Sequence, residues 1–497
     1  MRKEFERTTP ESAGISSEGI LKFLDALEYG GFTQMHGLMI MRHDKIVAEG
    51  WWDPFAPGLH HMCNSLTKTY MGTAIGVAYT EGLLDLDDKL YDIFPEYKPE
   101  NPTEFQENLT IRNTLRFATG MDHFPSMEGN WVKNFINLDL TCMPGTRFFY
   151  NSVASTFLGK VIEKLTGMTV YAYLEEKVFP YIGIDAENLD HGIAPEGYDM
   201  WAWRTVSTTE DNLRLMKLYK DGGVASGKRI LSEEYVKLAT SFQTDNSTEA
   251  NPAADNHVGY GFQMWMCRYP GAYRADGAGG QFSIVIPDKD MIVSINENAF
   301  GGAQKTLDAV WDVLMPAVKD DALPENEEGL KKLQGRLKHL SIEHPVFAPY
   351  DEKKACFEGS FRASEGTFDF YLRGMGAQEN VPGLTPKFAE KLAISFAPME
   401  LSVTWQATDR TREKLVFSMD GTRRLNHLET PWEFASKCYA NAYFEEAGVL
   451  VLELLWPENN SSRTLKVSLT EEGILVSERI MRFREGAAEL TAKFVRE

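Results

Sequence analysis

Apolar residues in the first part of the chain recur with two different periods. Helical spacing over residues 16–29 predicts a helix, and a hairpin pattern follows over residues 38–48. A second hairpin is predicted far downstream, over residues 282–295, and an amphipathic helix over residues 303–318. The pattern between the hairpins is mostly helical. We therefore predict an α+β domain in which one antiparallel sheet is assembled from distant segments and flanked by helices.

The composition and the hydrophobic pattern of the sequence change after residue 319. Acidic residues and proline indicate a solvated linker that contains a short helix at about residues 330–340. Short alternating segments separated by turn signals then predict a small all-β barrel or sandwich. The predicted organisation is a first domain over residues 1–320, a linker over residues 321–348 and an all-β domain over residues 349–497.

Composition and charge limit the partners of this 497-residue chain. Hydrophobic residues make up 43% of it, which is enough for sizeable cores, and the formal net charge is -21. An acidic surface repels nucleic acid and anionic membranes, so we expect neither as a partner. The charged N-terminus has no apolar signal-peptide core, and no apolar run approaches the length of a membrane span. We therefore expect a cytoplasmic protein.

Cysteine and histidine usage predicts neither disulfides nor metal. The 5 cysteines are few, odd in number and contain no CxxC pair. The 10 histidines contain no H-E-x-x-H or comparable cluster. We expect no metal and no cofactor.

A Ser-x-x-Lys segment carries the first candidate chemistry. Asn64 is a suitable helix N-cap, so Ser65 is predicted in the first helical turn with Lys68 one turn later on the same face. A serine hydroxyl needs a neighbouring base to act as a nucleophile, and a partly desolvated lysine can lose its proton and serve as that base. The alternative interpretation is a capped helix start with a surface lysine.

Two further segments carry candidate chemistry. Tyr150 follows a Pro-Gly turn beside polar residues, and a tyrosine near an ammonium group can relay a proton; the alternative is a packed aromatic. The glycine-rich run 277–281 leads into a strand, where backbone N–H groups could stabilise an oxyanion; the alternative is a mobile glycine loop. This run is not a Walker loop, because the Gly-Lys-Ser/Thr sequence is missing.

These three segments stand in the order and approximate spacing of one family. The chain resembles the serine β-lactamase-related hydrolases, especially class C β-lactamases, D-alanyl carboxypeptidases and family VIII esterases. The resemblance covers residues 8 to about 318. Further segments resemble that family at residues 10–15, 81–88, 109–112, 119–121, 227–232 and 259–262.

The resemblance implies both a fold and a set of site residues. The fold is a β-lactamase/transpeptidase-like sheet with terminal helices on one face and a helical lobe on the other, and the active site lies between them. Ser65 would be the acylated nucleophile, Lys68 its base and Tyr150 the proton relay, with the backbone N–H groups of Ser65 and Ala278 as the oxyanion hole. The implied substrate-binding positions are Asn151, Ser152, Asp276, Gly277, Gly279 and Gln281.

Two departures from the family pattern affect the expected substrate. The Tyr-x-Asn position holds Ser152, and the cation of the Lys/His-Thr/Ser-Gly motif is replaced by Ala275. Alanine cannot hold a substrate carboxylate, and Asp276 would repel one. Arg274 lies one position earlier, where its side chain should point to the opposite strand face. An esterase or amidase acting on a small, less acidic molecule or peptide fits better than a strong β-lactamase.

Other interpretations stay open at this stage. The chain could be a catalytically silent, penicillin-binding-protein-like ligand-binding protein, a D-amino-acid peptidase or a weak β-lactamase. The C-terminal domain resembles the lipocalin-like domains of bacterial members and could cover the site, bind a partner or support a homodimer. Its tryptophans, Trp405, Trp432 and Trp456, are interpreted as core residues. Cys63 is interpreted as a buried thiol, not a nucleophile.

Overall fold

A computed structural model describes most of the chain and divides it into two compact units. It describes residues 3–28, 33–191, 205–248, 254–299, 302–342, 354–370, 388–407, 412–429, 436–445, 448–482 and 486–497. The first unit comprises Met1–Gly58 and Met62–Ser341, and the second comprises Leu59–His61 and Ile342–Glu497. Part of the segment predicted as linker, Glu327–Lys338, forms a helix of the first unit.

The first unit combines helices with one main antiparallel sheet. The described helices are α1 Ser17–Glu28, α2 Thr67–Thr80, α3 Leu90–Ile93, α4 Glu104–Glu107, α5 Ile111–Leu115, α6 Trp131–Ile136, α7 Ser152–Thr166, α8 Val170–Lys177, α9 Phe179–Ile182, α10 Thr209–Lys220, α11 Glu233–Ala239, α12 Ala303–Ala309, α13 Met315–Ala317 and α14 Glu327–Lys338. The strands are β1 Gln34–Arg42, β2 Lys45–Trp51, β3 His61–Met62, β4 Asp190–His191, β5 Thr205–Ser207, β6 Val224–Ala225, β7 Lys228–Arg229, β8 Trp265–Met266, β9 Tyr273–Gly277, β10 Gln281–Ile286 and β11 Met291–Asn298.

The main sheet has the strand order β2-β1-β11-β10-β9-β8. Both predicted hairpins are present, and β1 of the first pairs antiparallel with β11 of the second, with Met39 opposite Ser294. Helices α1, α12 and α13 pack together with a π-helical turn at Val310–Leu314, and α10 packs on β1, β10 and β11. The prediction of one antiparallel sheet built from distant segments is therefore confirmed.

The largest core of the first unit lies between this sheet and the central helices. Met39, Val285 and Ile292 on the strands join fully buried side chains of α2 and α7, such as Ile75 and Leu158. Helix α2 is buried from Thr67 to Ala78, which explains why Lys68 is its single charged residue. This burial fixes the start of α2, where Ser65 and Lys68 lie.

The second unit is a closed β-barrel. Its helix is α15 Lys354–Phe357, and its described strands are β12 Gly359–Glu365, β13 Ala389–Ala397, β14 Glu400–Ala407, β15 Arg412–Ser418, β16 Arg424–His427, β17 Lys437–Phe444, β18 Leu450–Trp456, β19 Ser461–Leu469, β20 Gly473–Arg482 and β21 Gly486–Arg496. The sheet order is β15-β14-β13-β12-β21-β20-β19-β18-β17-β16. A parallel pairing of Ser418 with Asn441 joins β15 to β17 and closes a ring of nine strands.

Alternating side chains fill the barrel interior. Leu401, Val403 and Trp405 are buried along β14, and their neighbours are partly exposed. Trp456 is buried as well, so the core interpretation is confirmed for both tryptophans, whereas Trp432 lies outside the described residues. Of the two predicted alternatives, barrel and sandwich, the structure is the barrel.

A charged cluster lies among these apolar side chains. The Arg463 guanidinium donates to both carboxylate oxygens of Glu478, at 2.9 and 2.7 Å, and to Asp369 at 3.0 Å. All three side chains are buried. A buried ion pair is costly to break because the remaining charge has no solvent to stabilise it.

No helix in the described ranges is both long and apolar enough to cross a membrane.

Replacing Glu478 with alanine should destabilise the barrel because Arg463 would lose its bidentate partner. We expect the free energy of unfolding to fall by about 3–5 kcal/mol, measured by urea titration followed by tryptophan fluorescence. Lys466→Ala is the matched control, since Lys466 and its partner Glu445 are exposed and such pairs contribute at most about 1 kcal/mol. Equal losses in both variants would contradict a special contribution of the buried cluster.

Candidate active site

Ser65 lies in a 3₁₀ turn directly before α2. The turn spans Asn64–Leu66, and the α-helix begins at Thr67. The prediction that Asn64 is the helix N-cap is wrong: its φ is 49°, and its side chain makes no capping bond. The Asn64 amide instead donates to the Ala278 carbonyl at 2.6 Å, across a sequence separation of 214 residues. The left-handed backbone of Asn64 therefore serves a tertiary contact rather than the helix end.

Lys68 is the buried partner of Ser65. Its Nζ lies 3.1 Å from Ser65 Oγ, at hydrogen-bond distance, and the residue is 1% exposed. Burial lowers the pKa of Lys68 to about 7, and the negative charge of Asp276 opposes this shift. The alternative of a surface lysine is therefore wrong. A neutral amine at this distance can accept the proton of the serine hydroxyl.

Tyr150 lies beside Lys68 within a group of aromatic rings. Lys68 Nζ is 5.1 Å from the centroid of the Tyr150 ring. Trp265 stacks on Tyr150 with centroids 5.5 Å apart, and Phe117 meets it edge-on at 4.9 Å. Tyr150 is both a packed aromatic and a neighbour of the lysine, so the two sequence interpretations are compatible. Its role as a proton relay stays a prediction.

Asn151 and Ser152 begin helix α7. Asn151 is fully buried, and its Oδ1 accepts from the backbone N–H groups of Val153 and Ala154 at 2.9 and 3.3 Å. Its Nδ2 donates to Met121 Sδ. The Asn151 amide is therefore engaged in capping α7, and its contacts give no support to substrate binding. Ser152 is half-buried as the first residue of the helix.

The turn that joins β9 to β10 approaches the Ser65 segment closely. A Cβ at Gly277 would lie 2.0 Å from the Cys63 carbonyl oxygen, so only glycine allows this approach. Together with the Asn64–Ala278 hydrogen bond, this contact brings the backbone of Ala278 beside the nucleophile segment. The three glycines before β10 therefore belong to a turn that is fixed by tertiary contacts, and not to a mobile loop.

The far side of the same turn rests on β11 and on a buried carboxyl group. Gly279 has φ 79°, and its carbonyl accepts from Ala299 N–H at 2.9 Å. Gly280 has φ 90°, and a Cβ there would lie 1.9 Å from Glu297 Oε1. Both Glu297 oxygens lie 2.8 Å from Thr306 Oγ1, and burial raises the pKa of the Glu297 carboxyl well above its ordinary value.

Gln281 holds the base of the turn rather than facing an open cavity. The residue is fully buried at the start of β10. Its Nε2 donates to the Glu297 carbonyl at 2.7 Å, and its Oε1 accepts from Asn296 Nδ2 at 3.0 Å. The amide thus ties β10 to β11, and a contact between its side chain and a substrate stays a prediction without support from these bonds.

In the third motif an ion pair flanks Ala275, the position that holds a cation in the family pattern. Ala275 is fully buried in the core, while Arg274 and Asp276 share the other face of β9. Arg274 Nε donates to Asp276 Oδ2 at 2.8 Å. The guanidinium also donates to the carbonyls of Asp255 and Met266 and to Asn256 Oδ1. Arg274 therefore lies on the face opposite to position 275, as expected from strand alternation, and its charge is directed to Asp276.

Cys63 is a buried thiol. Its Sγ lies 2.9 Å from Ser207 Oγ, and burial raises its pKa to about 11. A thiol with a raised pKa is a poor nucleophile, so its interpretation as a structural residue is confirmed.

Three residues of the site were not predicted from the sequence: Asn64 as a tie to Ala278, Arg274 as the partner of Asp276, and Glu297 beneath the glycine turn. Only the contact between Arg274 and Asp276 had a local signal in the sequence, because residues two apart on a strand share a face. The other two contacts join segments that are distant in sequence.

Comparisons with known proteins find matches to the first unit of the chain. The Beta-lactamase family profile matches residues 31–314, more than half of the chain. Penicillin-binding protein 4 of Amycolatopsis lactamdurans is 23% identical over 271 residues, which cover 47% of this chain and 71% of that protein. The 6-aminohexanoate-dimer hydrolase of Paenarthrobacter ureafaciens is 23% identical over 257 residues, covering 47% and 64%.

A solved structure shares the fold. A penicillin-binding protein homologue from Caulobacter crescentus superposes with a TM-score of 0.51 at 15% identity, covering 63% of this chain and 100% of that one.

Gly280→Ala should be more destabilising than a glycine substitution that meets only backbone strain. We expect a cost of about 1–2 kcal/mol from the left-handed backbone and about 1–3 kcal/mol more from the collision with Glu297. Gly271→Ala is the control, because Gly271 has φ 76° and open space around its missing Cβ. Urea unfolding compares the two, and equal losses would show that the Glu297 contact does not constrain the turn.

Proposed function

Because the chain belongs to the Beta-lactamase family, we propose that it is a serine hydrolase that cleaves an ester or amide of a small molecule or peptide through an acyl-enzyme on Ser65. The observation that carries the proposal is the 3.1 Å approach of Lys68 Nζ to Ser65 Oγ, together with the burial that lowers the pKa of Lys68 to about 7. A nucleophile and a base with a matched pKa are the minimum that acyl transfer requires.

In the proposed acylation, neutral Lys68 accepts the Ser65 proton while Oγ attacks the substrate carbonyl carbon. The carbonyl oxygen becomes an oxyanion, and the backbone N–H groups of Ser65 and Ala278 donate to it. When the carbon–leaving-group bond breaks, the proton passes to the leaving group by way of Tyr150, which lies beside the amine. Water then attacks the acyl carbon while Lys68 accepts a proton from it. Lys68 returns this proton to Ser65 Oγ as the bond between Oγ and the acyl carbon breaks, which releases the acid and restores the serine hydroxyl.

The charges of the third motif favour ester and amide substrates that carry no carboxylate group. Asp276 repels a carboxylate, and the Arg274 guanidinium is buried behind it. The resemblance to penicillin-binding and β-lactamase relatives therefore supports the acyl-transfer chemistry more strongly than it supports their substrates.

Ser65→Ala should abolish activity. We expect the wild-type protein to hydrolyse short p-nitrophenyl esters and to gain one adduct on Ser65 with a fluorophosphonate probe, as measured by intact and peptide mass spectrometry. Without the nucleophile both should disappear, with a loss in kcat of at least about 10³-fold. Equal labelling of the Ser65→Ala variant, or no labelling of either protein, would favour the alternative of a silent ligand-binding protein.

The pH dependence of kcat/KM should follow the ionisation of Lys68. Its pKa is lowered to about 7, and the neutral amine is the active form, so kcat/KM should rise with pH through about 7 and level off above it. Lys68→Arg should be inactive across this range because the guanidinium keeps its proton. Lys22→Ala, at an exposed lysine of α1, is the matched control and should keep the wild-type profile. A wild-type rate in Lys68→Ala would exclude the proposed base.

A further inference from the structure

The ion pair of the third motif, Arg274 and Asp276, has a buried guanidinium and a partly exposed carboxylate. Arg274 is fully buried, and its guanidinium donates to Asp276, Asn256 and two backbone carbonyls. Asp276 is the partly exposed member of the pair, with 19% of its side chain accessible. Among the residues that the structure describes, Asp276 Oδ1 accepts no hydrogen bond, because Arg274 contacts Oδ2. The accessible part of this ion pair is therefore the Asp276 carboxylate, and the Arg274 guanidinium is buried.

Asp276 belongs to the site that contains the nucleophile. Its partner Arg274 lies over the Trp265 ring at 5.7 Å, and Trp265 stacks on Tyr150, the ring next to Lys68. It lies on β9, the strand that leads into the turn with Ala278, and this turn is bound to Asn64 next to Ser65. A molecule acylating Ser65 therefore comes within the electrostatic reach of Asp276.

The fixed charge that a substrate meets here is negative. A group approaching Oδ1 is nearer to the carboxylate than to the guanidinium behind it, so the carboxylate dominates the interaction. Lys68 supplies no permanent opposing cation, since it is neutral in the active form.

We propose that this site takes substrates that carry a positively charged ammonium group near the scissile carbonyl, and that Asp276 Oδ1 is the group that binds it. The inference rests on the proposed hydrolase function and specifies its substrate class. Arg274 has the role of a positioning residue: it holds the Asp276 side chain through a hydrogen bond of 2.8 Å. Burial raises the pKa of Asp276, and the Arg274 guanidinium opposes this shift.

The test uses two pairs of esters. Within each pair, the charged ester has a quaternary nitrogen at the position where the neutral ester has a quaternary carbon. Acetylthiocholine is paired with 3,3-dimethylbutyl thioacetate, so the charge lies on the leaving group. The p-nitrophenyl ester of trimethylammonioacetate is paired with that of 3,3-dimethylbutanoate, so the charge lies on the acyl group. The measurement is the charged-to-neutral ratio of kcat/KM, each rate corrected for spontaneous hydrolysis.

For the wild-type enzyme we expect a ratio of about ten or more in at least one pair, decreasing as salt is raised. In Asp276→Asn that ratio should fall to about one or below, because the remaining Arg274 charge repels the cation. Asp25→Asn, at an exposed position of α1, changes the net charge equally and should keep the wild-type ratio.

The outcomes separate this inference from the proposed function. Turnover of the neutral esters with a wild-type ratio at or below one in both pairs would overturn the ammonium proposal and leave the serine hydrolase intact. An unchanged ratio in folded Asp276→Asn would overturn the assignment to Asp276. Absence of both ester turnover and Ser65 labelling would overturn the two proposals together. The wild-type ratios decide the first outcome even if the variant does not fold.

Discussion

A lysine removed from water loses the hydration of its ammonium group, and it stays protonated only if a negative group compensates that loss. Lys68 is in this position: it is 1% exposed, and the negative charge that acts on it belongs to Asp276. Asp276 also accepts a hydrogen bond from Arg274 at 2.8 Å. Burial lowers the pKa of Lys68 more than the charge of Asp276 raises it, so the pKa stays low. The reactivity proposed for Ser65 depends on this low pKa of Lys68.

The same strand supplies three different elements of the site. Ala275 on one face belongs to the core, Arg274 and Asp276 on the other face form the ion pair, and the end of β9 leads into the turn at Ala278. The turn is fixed from two directions, by Asn64 and by Glu297. A displacement of β9 would change the pKa of Lys68 and the position of the turn together.

Local patterns were sufficient for most of the fold and for the proximity of Ser65 and Lys68. Period-2 alternation predicted both hairpins, and the Ser-x-x-Lys spacing placed Ser65 and Lys68 at hydrogen-bond distance. Asn64 was misassigned because an Asn before a helix usually caps it, and only the distant Ala278 carbonyl explains its positive φ. The choice between barrel and sandwich depended on the pairing of Ser418 with Asn441, a contact with no signal in either strand.

Strand β1 ends at Arg42 but pairs with β11, which ends at Asn298. Ser65 and its helix therefore leave the ribosome long before the strands that complete the main sheet. Pairing across such a separation is entropically slow, because the intervening chain must be closed into a loop before the contact contributes stability. The segment with Ser65 consequently has no turn at Ala278 beside it until nearly the whole first unit has been synthesised. Any chemistry that needs both segments is therefore restricted to the folded unit.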